Sequence, residues 1–191
     1  MGRKMALLVL FFVFSCFAGV ISCSYSADNL ISNPGFEEKG SWNVWGKEGW
    51  KRELGSSEEM HEGSMSYKVV IGNAKAWEST IAEQIIYSLQ AGSAFEGSVW
   101  LKVPAKTPLV NTLVYLEVFL IKEDGTEFKK YQSVKFDNQA VPEWQKLTVS
   151  GSIPAEVKSL KYWLVVAPQK EDCAGTVYFD DAFLKIVPPQ N

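Results

Sequence analysis

Leu113-Val114-Tyr115-Leu116-Glu117-Val118-Phe119-Leu120-Ile121-Lys122 reads as one long β-strand. Side chains alternate between the two faces of a strand. One face here collects Val114, Leu116, Val118 and Leu120, and the other Tyr115, Glu117, Phe119 and Ile121. The aliphatic face is a core face. The other is aromatic with a carboxylate set into it, which a dry interior does not need. Glu123-Asp124-Gly125 closes the strand with hairpin chemistry, and residues 128–136 are predicted to return beside it. Further strands are predicted at 67–71, 81–89, 95–103, 144–149, 160–167 and 176–186, with Leu30 and Ile31 opening a first one. Pro104, Pro108, Pro142 and Pro154 fall between strands, where a missing amide proton is harmless. No long helix is legible. This spacing predicts an all-β fold, a jelly-roll β-sandwich of two antiparallel sheets.

The same division of faces recurs in two other strands. Phe95, Gly97, Val99 and Leu101 read as core against Glu96, Ser98, Trp100 and Lys102. Leu160, Tyr162, Leu164 and Val166 read as core against Lys161, Trp163 and Val165. Three strands thus offer a large aromatic flanked by polar groups on the side away from the core. Such a surface suits carbohydrate: a pyranose lays an apolar patch of C–H groups on a ring, while its rim of hydroxyls needs directed donors and acceptors. Trp42, Trp45 and Trp50 crowd one short stretch, which reads equally as the lining of a loop-borne site or as a plug for one end of the sandwich. Trp144 opens the strand predicted at 144–149.

Two segments at opposite ends of the chain carry a resemblance. Asn29-Leu30-Ile31-Ser32-Asn33-Pro34-Gly35-Phe36-Glu37 stands near the start and Gly175-Thr176-Val177-Tyr178-Phe179-Asp180-Asp181-Ala182-Phe183-Leu184 near the end. Together they resemble the carbohydrate-binding modules of families four, nine and twenty-two, which share a galactose-binding-like jelly roll. The resemblance implies glycan binding across the outer face of one sheet, and it points to Trp100, Trp163, Tyr115 and Glu117, with Gln84 as a further candidate. It also implies a structural calcium, held by the Gly35 carbonyl, Glu37 and Asp180, with Glu62 and the Met65 carbonyl nearby. Calcium takes several hard oxygens in irregular geometry. Asp181 competes with Asp180, because neighbouring strand residues face opposite ways.

The chain ends and the charge narrow the setting. Arg3 and Lys4 precede an apolar run over 6–21, the pattern of a secretory signal. Val20-Ile21-Ser22-Cys23 resembles a bacterial lipobox, so Cys23 is the expected lipidation site; cleavage after Ser26 or Ala27 is the alternative. The organisation read from this is a signal peptide at 1–22, a tether at 23–28, the binding domain at 29–187 and a tail at 188–191. The expected location is export to a bacterial cell envelope or surface, with membrane contact through the lipid alone. Cys173 is then left single and inert. With 19 Lys and Arg against 22 Asp and Glu, nothing favours nucleic acid, whose binding rests on phosphate neutralisation.

Catalytic signatures are sparse. The chain has one histidine, His61, in a polar acidic stretch read as a surface loop. Glu117 has no evident second acid beside it, whereas a glycosidase needs two carboxylates facing one cleft. The expectation is a monomeric, non-catalytic binder of oligo- or polysaccharide. A structural or adhesion module without sugar affinity, and more remotely a hydrolase or lyase, remain as other readings.

Overall fold

The computed structural model describes residues 29–75, 78–87 and 89–189. The leader, the tether and Cys23 lie outside the described residues. Eleven strands occur among those described: β1 (Asn43–Gly46), β2 (Lys51–Ser56), β3 (Ser66–Ile71), β4 (Thr80–Tyr87), β5 (Ala94–Val103), β6 (Thr112–Lys122), β7 (Glu127–Gln132), β8 (Phe136–Asp137), β9 (Val141–Ser152), β10 (Val157–Pro168) and β11 (Gly175–Val187). They form two antiparallel sheets. The first runs β1-β4-β10-β6-β7, with β8 continuing along β6; the second runs β2-β3-β11-β5-β9. The fold is a jelly-roll β-sandwich.

Alternation sets the core. Val114, Leu116, Val118 and Leu120 of β6 are fully buried, as are Leu160 and Tyr162 of β10 and Phe95, Val99 and Leu101 of β5. Tyr162 reaches across from the first sheet and donates its hydroxyl to the Ser98 carbonyl of the second at 2.6 Å. Gly97 lies under it, where a Cβ would come within 3.5 Å of the Tyr162 ring. Cys173 is a free, buried thiol whose Sγ lies 2.9 Å from the Gly72 carbonyl.

The strand expectations need three corrections. Leu30 and Ile31 open no strand: the segment runs beside β11, but the Asn29 side chain accepts the Leu184 amide proton at 3.0 Å and the chain then turns at Asn33. Lys51–Ser56, where no strand is predicted, is β2. The return strand over 128–136 is broken at Ser133, whose hydroxyl accepts the Leu116 amide at 3.0 Å and so replaces a ladder bond.

The three clustered tryptophans part ways. Trp42 is buried against Phe36, with ring centroids 5.0 Å apart, and donates its indole N–H to the Asn33 carbonyl at 3.0 Å. Trp50 is buried and donates to the Gly72 carbonyl at 2.8 Å. Trp45 alone is 41% exposed. The next residue, Gly46, has φ +129°, and a Cβ there would lie 2.2 Å from the Ser79 carbonyl oxygen and 2.5 Å from the Thr80 Cα. Backbone cannot yield as a side chain does. Gly46→Ala is therefore expected to destabilise the protein by about 2–3 kcal/mol, read as a shift of the urea midpoint.

Candidate functional site

The outer face of the first sheet is ordered by strand register into three lateral rows. The middle row is Asn43, Glu83, Trp163, Glu117 and Gln132, from β1, β4, β10, β6 and β7. Above it lie Trp45, Ile81, Val165 and Tyr115; below it lie Ile85, Lys161, Phe119 and Lys130. Trp163 is the centre of the surface. Its indole N–H donates to Glu83 Oε2 at 2.7 Å, which fixes the ring's rotation. Phe119 tilts against it at a centroid distance of 4.2 Å, and Trp45 meets it edge-on at 5.6 Å.

Both carboxylates of the row are buried. Glu83 also accepts from Asn43 Nδ2 at 3.3 Å and pairs with Lys161 Nζ at 3.5 Å, while Glu117 accepts from Gln132 Nε2. Burial of a charge is tolerated only with such partners. No acid stands beside Glu117, whose row neighbours are Trp163 and Gln132; Glu83 shares the row from two strands away, with roughly 10 Å between Cα positions at ordinary strand spacing. Glu83 was missed because β4 places it beside Trp163 only once the non-local register is known. Ammonium groups sit over the remaining rings, Lys130 at 4.5 Å from the Phe119 centroid and Lys135 at 4.7 Å from that of Tyr115.

The structure gathers three of the five candidates, Trp163, Tyr115 and Glu117, on this face. Gln84 is a correction. It pairs with the core-facing Tyr162, and its amide is spent on Ser32, accepting from the Ser32 amide at 2.9 Å and donating to the Ser32 carbonyl at 2.6 Å. Trp100 is another. It stands on β5, on the outer face of the second sheet, with the His61 ring stacked on it at 4.0 Å. The width of the sandwich separates it from Trp163.

The residues expected around calcium meet on that second face. Residues 57–65 fold over it: Glu58 pairs with Lys68, and Glu59 pairs with Lys102 at 2.7 Å. Asp180 is fully buried, and its Oδ2 accepts the amides of His61 at 2.8 Å and Glu62 at 3.3 Å. Asp181 does not turn away. The β11–β5 register shifts between Asp180 and Phe183, and Asp181 takes φ 47°, so both aspartates approach the same loop. Asp181 Oδ2 lies 2.6 Å from His61 Nδ1. His61 is thus built into the fold rather than lying free on a surface loop, and Trp144 meets its ring edge-on.

Glu37 accepts the amides of Ser64 at 2.8 Å and Met65 at 3.1 Å and the Ser64 hydroxyl at 2.6 Å. Gly35 lies in the preceding turn, whose Pro34 carbonyl accepts the Ala182 amide at 3.0 Å and so ties the two chain ends together. Burial, then the charge of Asp181, pushes Asp180 up to about 7. Burial raises Asp181 too, against its bond to His61 and with Glu62 and Glu37 adding repulsion. Burial also works to raise Glu37, but the Ser64 hydroxyl and the Ser64 and Met65 amides outweigh it and hold it low. Ligating atoms of His61, Glu62 and Asp181 lie within 4.8 Å of one another. Two aspartates raised by burial, with further carboxylates close by, would be relieved by the charge of a hard divalent cation.

The family model described as a carbohydrate binding domain matches residues 28–169. The chain belongs to this family. Among solved structures, the carbohydrate binding domain is similar to the C-terminal family 22 carbohydrate binding module of Clostridium thermocellum Xyn10B, at 17% identity and TM-score 0.60, over 87% of this chain and 100% of that one. It is also similar to a cyclase from Fischerella sp. TAU, at 15% identity and TM-score 0.61, over 87% and 100%. A third is the enzymatically active domain of bacteriophage CBA120 tailspike protein 4, at 13% identity and TM-score 0.61; the match covers 83% of this chain but only 21% of that one. At such identities the likeness is one of fold. No curated protein matches the chain.

Proposed function

We propose that the protein is a non-catalytic binder of a glycan chain, which lies across the outer face of the first sheet. The observation that carries this reading is the middle row, in which Trp163 is flanked on each side by a buried carboxylate tied to an amide. A pyranose stacked on Trp163 would meet Glu83 along one edge and Glu117 along the other, each with acceptor capacity for ring hydroxyls. Trp45 and Tyr115 would extend the apolar floor to neighbouring sugars. The two lysines over the outer rings supply donors at the margin. Such a face is open and shallow, so the expected Kd is of order micromolar to millimolar. Retention of the protein on a broad panel of insoluble and arrayed glycans tests the reading. The Glu83–Glu117 pair also supports a second reading, glycoside hydrolysis, which release of reducing ends from a retained glycan would establish.

The proposal includes two supporting features. Glu37, Glu62, Asp180 and Asp181, with the Gly35 and Met65 carbonyls, would hold a calcium that fixes the chain ends without reacting. The lipobox-like Val20-Ile21-Ser22-Cys23 motivates an exported, envelope-bound protein anchored through Cys23. One acyl chain binds a membrane marginally, so stable anchoring implies more than one. Intact-mass analysis is expected to find the protein beginning at an acylated Cys23; an unmodified start at Ser24 or beyond contradicts the anchor.

A further inference from the structure

The outer face of the second sheet holds a cavity of about 480 Å³, within the range of small-ligand sites. Its lining includes Ser98 of β5, Thr148 and Ser150 of β9, and Phe183 of β11. Register sets these on one side of the sheet: Ser98 stands between Phe183 and Thr148, and Glu96 stands between Lys185 and Ser150. The cavity runs to Tyr131 and Gln132 at the β7 margin.

The polar groups of this cavity divide into spent and unspent. Glu96 pairs with Lys185 at 2.8 Å, Lys146 lies over the Trp100 ring at 5.8 Å, and Gln132 is committed to Glu117. The hydroxyls of Ser98, Thr148 and Ser150 have no hydrogen-bond partner among the described residues. Ser98 is only 4% exposed and stands at the floor of the cavity, while Thr148 and Ser150 are exposed along its wall. Three hydroxyls beside the Phe183 ring, with the Glu96 carboxylate answered by Lys185, make a surface for an uncharged polyhydroxylated ring.

We propose that this cavity is a second sugar site, which takes a single neutral hexopyranose. Phe183 covers the apolar face of the ring, and Ser98, Thr148 and Ser150 bond its hydroxyls. The site shares Gln132 with the margin of the Trp163 face and is otherwise built from the second sheet. Because the two sheets turn their outer faces in opposite directions, a chain occupied at both sites bridges two glycan strands.

The test is an amide chemical-shift titration of the protein with methyl β-glucoside, methyl β-galactoside and methyl β-mannoside. At least one is expected to give saturating shifts at Gly97, Ser98, Thr148, Ser150 and Phe183, with a Kd of order 10 mM, worth about −3 kcal/mol. Those shifts persist in Trp163→Ala. In Thr148→Trp, which fills the cavity from an exposed position, the affinity falls at least tenfold. No saturable shift at these amides with any of the three sugars overturns the proposal. So does their loss in Trp163→Ala, or an unchanged Kd in Thr148→Trp. Amides 115–119 and 161–165 report the first face separately, so failure there is distinguishable from failure here.

Discussion

Freed of metal, the protein is expected to lose stability as the pH rises from about 4 to 7, and calcium is expected to restore it. The sign follows from Asp180, whose folded-state pKa is raised to about 7 against an ordinary 3.8. Between those values the folded chain holds a proton that the unfolded chain has released, so folding weakens as the proton is withdrawn. Each pH unit inside the window removes up to about 1.4 kcal/mol, and the whole window a few kcal/mol. Asp181, also raised, acts in the same direction. Glu37, held low, acts oppositely, contributing stability that is lost as the pH falls through its folded pKa. His61 and Glu62 complete the groups that face the aspartates. A cation bound by the folded state alone adds about 2.7 kcal/mol at a hundredfold excess over its Kd. Urea midpoints from pH 4 to 7, with chelator and with calcium in excess, check the prediction. The chelated curve should fall with pH and the calcium curve should stay nearly level. Coincident curves contradict the metal proposal.

The sandwich was legible in the sequence wherever strand residues alternate. Val114 to Leu120 and Leu160 to Val166 announce their core faces by side chain alone, because burial at every second position is a local pattern. Sites are not local. Glu83 joins Glu117 only through the β4–β10–β6 register, and sequence spacing carries no sign of that order. Gln84, one residue further along β4, faces the core for the same reason that Glu83 does not. The Asp180–Asp181 pair defeated the alternation rule because a bulge with a left-handed residue inserts one extra position, and no residue there is a glycine that would have signalled it. Trp100 and Trp163 look equivalent as strand aromatics. Which sheet each strand joins separates them.

Neighbouring residues on β10 give the sharpest contrast between packing and binding. Tyr162 is fully buried, and its hydroxyl spans the two sheets. Tyr162→Ala should lower stability by about 4 kcal/mol, as truncation of a core aromatic does. Trp163 points the other way, half-buried in a small outer cluster with Tyr115 and Ile81. Trp163→Ala leaves no cavity in the main core, so a loss of about 1–2 kcal/mol is expected, well below the core value. Its effect on glycan affinity should be the larger of the two, at least tenfold, or about 1.4 kcal/mol.

Calorimetric titration of the wild-type protein and Trp163→Ala with the glycan retained best on the panel tests the central claim most directly. The predicted result is wild-type binding in the micromolar to millimolar range, with an affinity at least tenfold weaker in the variant and only a modest fall in its melting temperature. An affinity unchanged by the substitution, or no retention of the wild type by any glycan, contradicts it.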